Sequence, residues 1–370
     1  MVHKELLSLR FLIVSFFVLL AAMIFAGLYP FNFFPQNRVS WLPDESGLYF
    51  DGDGIAYTDK AESISLKKAV TLELLLKERR GSMNWGPSEI FSFYDGGDSP
   101  SLLVGQWDGR IFIFSRFEKN EGHEWYRLFR TKHRFPKGNS HLVAVTFDET
   151  EKAIYIDGQL KNRRNVKLNG RTDIQFSGTF LLGSSPRGKY GWRGEIKGLA
   201  VYDHILKPDE IAKHSREVMQ KGMSVLVKNS GLISLYPFKE GEGNIAKDIL
   251  SKHRTFLIPV SQNTLGMTML NLPYKDMRFF SYNKLDLLKN IIFFIPFGIV
   301  LSVIIIKKYK TSYFVTFLIV TSMGGILSCV IEGFQIYLPD RIPGIADIIS
   351  NILGSVFGIL MTFIVVKEKW

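Results

Sequence analysis

Apolar residues crowd into the two ends of this chain, while its middle alternates apolar and polar positions. One uncharged apolar run covers Phe11–Tyr29, and three more cover about 290–306, 312–338 and 345–366. A helix of about 20 apolar residues crosses a hydrocarbon core of roughly 30 Å. The pattern therefore predicts four transmembrane helices, one before and three after a soluble region.

Basic residues at the ends of the apolar runs predict their orientation. Lys4 and Arg10 precede the first run, KKYK at 307–310 separates the second from the third, and KEK follows the fourth. Because positive charge marks the cytoplasmic side, both termini are predicted inside and residues 31–285 outside. The first run could instead be a cleaved signal peptide. It is long for one, however, and the apolar LYPFNFFP continues it, so a retained helix is favoured.

The formal net charge of +11 is partly explained by this topology. The helix flanks alone contribute 7 − 2 = +5, from Lys4, Arg10, Lys307, Lys308, Lys310, Lys367 and Lys369 against Glu5 and Glu368. The remaining charge shows no basic cluster interleaved with aromatic residues, so nucleic acid is not an expected partner. The single cysteine, Cys329, lies in an apolar run. The soluble region therefore has no disulfide and depends on its core.

The middle of the chain consists of short alternating stretches bounded by Gly, Asp and Asn, as in HLVAVTFDETEKAIYIDGQL at 141–160. This pattern predicts many short strands and hairpins, which form a sandwich or a jelly roll. A later run predicts a strand at Ile196–Tyr202 and a helix that begins at Pro208. These stretches resemble laminin-G-like domains of the concanavalin A-like class, and GLISLYPF at 231–238 resembles their returning terminal strand. The resemblance implies an all-β jelly-roll sandwich over residues 45–259.

Glycosyl hydrolases of the laminarinase type share that fold and place three acids on one strand. The nearest run here contains Glu73 and Glu78 but lacks the middle acid. Hydrolysis by paired carboxylates is therefore not expected.

Ligand binding by the sandwich stays open. Aromatic side chains could stack on a sugar or a peptide, and the candidates are Trp85, Trp107, Trp125, Tyr126 and Trp192. Four aspartates beside glycines could ligate calcium, namely Asp51, Asp53, Asp95 and Asp98. The competing interpretations are that Asp-Gly pairs form hairpin turns and that Trp192 belongs to the sandwich edge or core.

Polar residues inside or beside the last three apolar runs are costly in hydrocarbon and normally have a partner or a function. Three pairs share a helical face because they are three or four residues apart. These pairs are Asp286 with Asn290, Glu332 with Gln335, and Asp347 with Asn351, and Arg341 lies in the turn between the last two runs. The predicted orientation brings all seven residues to the outer interface.

The order of these residues forms three motifs: DxxxNxxxFxPxG from Asp286 to Gly298, IExxQ from Ile331 to Gln335, and RxxxxxDxxxNxxGxxxG from Arg341 to Gly358. They resemble the VanZ-like family, one member of which is associated with resistance to the glycopeptide teicoplanin. The resemblance implies a four-helix transmembrane bundle in the bacterial plasma membrane, built from residues 1–35 and 286–370. The sandwich would be inserted after the first helix, with a linker at 260–285.

Two interpretations of the polar residues follow. In one, Glu332 pairs with Arg341 and the amides bond across helices. In the other, Arg341 binds an anion while Glu332 or Asp347 accepts a proton. The leading hypothesis is a non-catalytic cell-envelope protein whose sandwich recognises a glycan or protein ligand and whose helices engage membrane lipid, with a link to teicoplanin-type resistance. The alternatives are an enzyme or transporter for a lipid-linked envelope precursor, and a purely structural anchor.

Overall fold

The computed structural model describes residues 8–58, 64–79, 87–94, 100–116, 129–167, 175–186, 188, 190–262, 284–338, 341 and 344–367. The chain divides into two compact units. One unit comprises Met1–Phe33 with Met267–Trp370, and the other comprises Phe34–Gly266. The second unit is a β-sandwich, and the first contains long apolar helices.

The first sheet of the sandwich has eight antiparallel strands in the order β1-β2-β14-β5-β10-β11-β12, with β15 also paired to β14. These strands are β1 (Val39–Trp41), β2 (Leu48–Asp51), β5 (Ala69–Glu78), β10 (His141–Asp148), β11 (Glu151–Ile156), β12 (Gln159–Asn165), β14 (Arg193–Tyr202) and β15 (Leu232–Tyr236). β14 contains the strand predicted at Ile196–Tyr202, and β15 returns to it as predicted.

The second sheet has nine strands in the order β16-β17-β3-β13-β6-β7-β8-β9, with β4 also paired to β13. These strands are β3 (Ala56–Thr58), β4 (Ile64–Lys67), β6 (Ser88–Tyr94), β7 (Leu102–Trp107), β8 (Arg110–Phe114), β9 (Phe129–Arg130), β13 (Gln175–Leu182), β16 (Ile245–Lys247) and β17 (Thr255–Leu257). Strands β9 and β12 thus end the two sheets.

Alternation along β10 separates two cores. Val143, Val145 and Phe147 belong to the main core between the sheets, which is rich in phenylalanine. Leu142 and Ala144 point to the opposite face and pack in a second core. Helix α2 (Pro208–Lys221) and a 3₁₀ helix (Met223–Lys228) contribute to that second core. As predicted, α2 begins with Pro208. Its first turn also carries the acids Asp209 and Glu210, whose negative charge interacts favourably with the helix dipole.

The other unit contains the remaining helices α1 (Leu9–Leu28), α3 (Lys284–Tyr309), α4 (Tyr313–Gln335) and α5 (Ile345–Lys367). Among the described residues, four helical stretches are long and apolar enough to span a membrane: α1, α4, Leu287–Tyr309 of α3 and Ile345–Val365 of α5. Helix α3 begins at Lys284, before the apolar run, so the polar DLLK segment is helical, as the placement of Asp286 and Asn290 on one helical face predicted.

Glycine permits close backbone contact between α3 and α5. A Cβ atom at Gly298 would lie 2.2 Å from the Ser355 carbonyl oxygen, and one at Gly358 would lie 2.3 Å from the Ile295 carbonyl oxygen. A larger residue at either position would separate the two helices. These motif glycines therefore serve helix packing.

Candidate functional site

The predicted polar residues of the helices gather around the beginning of α5 and the ends of α1 and α4. Asp347 lies in the first turn of α5, where a carboxylate favours the positive end of the helix dipole. The Asn290 amide of α3 donates to Asp347 Oδ1 at 2.6 Å. This bond connects the first and third motifs. Asp286 lies in α3, but its side chain is outside the described residues.

Glu332 is buried in the last turn of α4, with only 6% of its surface exposed. Its Oε2 accepts a hydrogen bond from the backbone N–H of Gly344 at 3.1 Å, at the point where the chain enters α5. The carboxyl group therefore satisfies a backbone donor at the beginning of the next helix.

Arg341 has a different partner from the one expected. Its guanidinium donates to the Tyr29 carbonyl oxygen at 3.0 Å and to the Ala26 carbonyl oxygen at 3.4 Å. The structure describes both Arg341 and Glu332, and no ion pair within 4.0 Å joins them, so the pair proposed in the first interpretation is not formed. The reason is that the last carbonyls of α1 lack intrahelical donors, and a cation there also favours the negative end of the helix dipole.

Gln335 reinforces the same helix end, because its Nε2 donates to the Gly27 carbonyl oxygen at 2.8 Å. Asn351 instead connects α5 to α4, because its Nδ2 donates to Ser328 Oγ at 2.9 Å. Asn351 is 5% exposed, and its buried Oδ1 accepts no hydrogen bond from the described residues. Ser328 was missed from the sequence, although it lies four residues before Glu332 on the same helical face.

These bonds divide the polar residues into two groups. The acid–amide group consists of Asn290, Ser328, Glu332, Asp347 and Asn351. The α1-capping group consists of Gln335 and Arg341. Glu332 and Asn351 are buried among helices, whereas Asn290, Asp347, Gln335 and Arg341 are half-buried.

A surface groove of about 550 Å³ lies on α4 and α5 and is lined by Thr321, Gly325, Cys329 and Ile352 among others. None of the seven predicted polar residues lines this groove.

In the sandwich, Trp192 is not available to bind a ligand, contrary to its selection as a candidate. It is 1% exposed in the main core, and its Nε1 donates to Gln106 Oε1 at 2.8 Å. Trp107 is half-buried near the sandwich edge. Trp85, Trp125 and Tyr126 lie outside the described residues.

Arginine engages the two calcium candidates that the structure describes. Asp51 lies 3.2 Å from Arg193 Nε, and Asp53 lies 3.5 Å from Arg38 NH1. Calcium would have to displace both guanidinium groups. Asp95 and Asp98 lie outside the described residues. Among the residues described, no group of three or more His, Cys, Asp or Glu side chains could hold a metal ion.

Glu73 and Glu78, the two acids considered for glycoside hydrolysis, form hydrogen bonds inside the sandwich instead. Glu73 is fully buried; its Oε2 accepts from the Tyr202 hydroxyl at 3.0 Å and lies 3.1 Å from His214 Nδ1. The Asn229 amide lies 2.8 Å from His214 Nε2 and completes the network. Glu78 accepts from Gln106 Nε2 at 2.7 Å. Both acids are at most 1% exposed, so neither carboxyl group faces solvent.

Two family models match parts of the chain, and residues 1–49 lie outside both matches. Residues 50–212 match the concanavalin A-like lectin/glucanases superfamily, in its laminin-G-like group, and residues 210–366 match the VanZ/LLP1 family. No curated protein matches the sequence significantly.

Solved structures with similarity include a putative carbohydrate binding protein from Bacteroides ovatus, at 13% identity and a TM-score of 0.42, covering 60% of each chain. The sialidase of Trypanosoma rangeli has 17% identity and a TM-score of 0.37, covering 49% of this chain and 28% of the sialidase. A SAP-like pentraxin from Limulus polyphemus has 13% identity and a TM-score of 0.37, covering 61% of this chain and 93% of the pentraxin. The chain thus spans less than two thirds of the first two proteins.

Proposed function

We propose that this chain, a VanZ-like protein with an inserted laminin-G-like domain, is a non-catalytic envelope protein of the bacterial plasma membrane. Four helices long enough to span a bilayer and the basic flanks of the apolar runs support this location. In the proposed topology both termini are cytoplasmic and residues 31–285 face outward. The sandwich recognises an envelope glycan or protein ligand, and the helices engage a lipid or a lipid-linked precursor.

The observation that carries the non-catalytic role is that the motif side chains bind the protein itself. Asp347 accepts from Asn290, Glu332 accepts from the backbone of Gly344, and Arg341 donates to the end of α1. A proton-transfer or anion-binding centre needs groups directed at substrate. Here the same groups hold helix ends together, which favours a scaffold over a reaction centre.

The half-buried members of the cluster support contact with lipid. Asn290 and Arg341 retain exposed surface beside helix ends, whereas Glu332 does not. A lipid headgroup carries the phosphate and hydroxyl groups that amide and guanidinium side chains bind. We further propose a link to teicoplanin-type susceptibility, which rests on the VanZ-like motifs alone.

The test compares Glu332→Gln and Asp347→Asn with the wild-type chain, with the exposed Cys329→Ser in α4 as the control. Teicoplanin susceptibility would be measured in a strain that expresses each chain, and folding would be measured by thermal unfolding in detergent. The proposal expects wild-type chain to lower susceptibility, and each variant to keep that effect in proportion to its folded amount.

A variant that folds and accumulates like the wild type but loses the whole effect would instead support the enzyme or transporter. If expression of the wild-type chain leaves susceptibility unchanged, the link to teicoplanin is wrong. Loss of folding in both variants without any change in susceptibility would favour a purely structural anchor.

A further inference from the structure

The two sheets of the sandwich meet at one edge through β9 and β12. The Asn162 amide of β12 donates to the Arg130 carbonyl oxygen of β9 at 2.6 Å. Residues that are 32 positions apart in the chain thus become neighbours. Cationic side chains from both sheets therefore share this edge.

Aromatic rings orient these cations. The Phe129 ring is buried in the main core, with Lys152 Nζ 4.9 Å and the Arg164 guanidinium carbon 5.5 Å from its centroid. The Arg130 guanidinium carbon lies 5.4 Å from the Trp107 ring centroid. The charged guanidinium groups of Arg130 and Arg164 themselves lie over the faces of these rings. The positions of the charges are therefore fixed by packing.

The second sheet adds further cations beside this point. Arg110 Nε donates to the Lys132 carbonyl oxygen at 3.3 Å, and Arg134 NH2 donates to Asp108 at 2.7 Å. Asp108 also accepts from Arg110, so one acid serves two arginines. The cationic edge is defined by five accessible cations, Arg110, Arg130, Lys132, Arg134 and Arg164. With Asp108, these described residues carry 5 − 1 = +4.

We propose that the cationic edge binds a linear polyanion, an envelope polysaccharide that carries carboxylate or phosphate groups along its length. This inference rests on the proposed function, since it names the class of ligand that the sandwich recognises. Cations spread over the ends of two sheets repel one another, and a chain with repeated charges neutralises several of them at once. A small anion could contact only one or two.

The aromatic residues argue against a nucleic acid at the same place. Binding of single strands requires ring faces open to stacking bases. Phe129 is buried, and Arg130 lies over the Trp107 ring. The edge therefore offers charge and hydrogen-bond donors rather than a stacking platform.

The test uses the full chain in zwitterionic detergent and labelled probes of four kinds: polygalacturonate, inorganic polyphosphate, neutral dextran and an oligothymidylate. The test variant combines Lys132→Gln, Arg134→Gln and Arg164→Gln, all at exposed positions. The matched control combines Lys213→Gln, Arg216→Gln and Lys221→Gln on the exposed face of α2, and it removes the same charge. Thermal unfolding checks that both variants fold.

We expect the wild type to bind polygalacturonate or polyphosphate, with an affinity that falls as salt is added because bound counterions are released. The test variant should bind about tenfold more weakly or worse, while the control should remain within about twofold of the wild type. Preference between the two probes distinguishes a carboxylate polymer from a phosphate polymer.

Equal losses in the test variant and the control would overturn the proposal, since the effect would then be one of net charge. Tighter binding of oligothymidylate than of either polyanionic probe, lost in the test variant, would also overturn it. A third outcome is that the chain binds dextran but no polyanion, and that the test variant still binds dextran. Glycan recognition by the sandwich would then stand, and only the proposal about the cationic edge would be overturned.

Discussion

The sandwich and the apolar helices both bury carboxyl groups, but they satisfy them in different ways. In the sandwich, Glu195 is surrounded by cations, with Arg79 Nε at 2.9 Å, Lys77 Nζ at 3.4 Å and Lys197 Nζ at 3.5 Å. Burial raises the pKa of Glu195, but the Arg79 hydrogen bond and the lysine charges outweigh burial and hold the pKa below its usual range. The sandwich thus stabilises an ionised group with opposite charge.

In the helices the donors are neutral. Glu332 accepts from a backbone N–H, Asp347 accepts from an amide, and Arg341 is used at the end of α1 instead of pairing with Glu332. Long cationic side chains can reach Glu195 because their stems lie at a water-exposed surface. Between apolar helices, short neutral donors avoid bringing a second charge out of water. The comparison teaches that surroundings, not the acid itself, select the partner.

The largest effect is expected from a buried acid of the sandwich that, unlike Glu195, is held by a hydroxyl and an imidazole and not by Lys or Arg. Glu73→Ala leaves the Tyr202 hydroxyl and His214 without their acceptor in the second core. Each buried donor left without an acceptor costs about 1–3 kcal/mol, and Glu73→Ala leaves two of them. Chemical unfolding of the full chain in detergent, followed by the fluorescence of core tryptophan, measures the loss.

Glu217→Ala on α2 is the control, because Glu217 forms only a loose pair with Lys213 at 4.0 Å. It should change stability by about 0.5 kcal/mol or less. Similar effects of the two substitutions would show that Glu73 contributes no more than a surface acid.

Glu89 in β6 is an exception within the sandwich. Its Oε2 is buried and accepts no hydrogen bond from the described residues, and burial raises the pKa of Glu89 from 4.5 to about 8. The folded protein therefore holds this proton between about pH 4.5 and 8, where the unfolded chain has lost it. The stability contributed by Glu89 is complete below pH 4.5, falls as pH rises through about 8, and is constant above that.

We expect Glu89→Gln to remove this loss, so that at about pH 9 the variant is more stable than the wild type by up to about 5 kcal/mol. At about pH 4 the two should differ little, because Glu89 is protonated in both states. Unfolding free energies measured across this pH range provide the test. If the unfolding free energies of variant and wild type changed with pH in parallel, the pKa of Glu89 would not be raised in the folded protein, and the prediction would be wrong.

Much of the sandwich could be predicted from alternation, since β10 separates its apolar side chains between two cores as its sequence pattern suggests. The four apolar helices follow from length and composition. Partners across the fold could not be predicted. Arg341 binds a carbonyl 312 residues away, and β9 meets β12 only because each ends its sheet. Cationic side chains that lie far apart in the sequence are therefore brought together by the topology of the two sheets.

Close helix packing sets a third test, within the apolar helices. In α3, Gly298→Ala places a methyl group against the Ser355 backbone, and overpacking of this kind destabilises by about 1–3 kcal/mol. Gly333→Ala in α4 is the matched control, because a Cβ atom there meets nothing within 4 Å. The control should be neutral or up to about 1 kcal/mol more stable, since alanine favours helix. Unfolding in mixed micelles, followed by helical circular dichroism, measures both variants, and equal losses would show that α3 and α5 can separate freely.

The smallest expected effect concerns a single hydrogen bond with a neutral donor, between Asn290 and Asp347 of the apolar helices. A double-mutant cycle of Asn290→Ala and Asp347→Ala isolates the free energy of their 2.6 Å hydrogen bond. Side-chain hydrogen bonds between membrane helices contribute about 0.6 kcal/mol on average and at most about 1.7 kcal/mol, because the unfolded state in the membrane finds other partners. A coupling in that range, measured by the same unfolding in micelles, supports the contrast with the charged pairs of the sandwich. A coupling above about 3 kcal/mol would mean that Asp347 is held as strongly as a buried ion pair, and the distinction between the two regions would then lie in geometry rather than in charge.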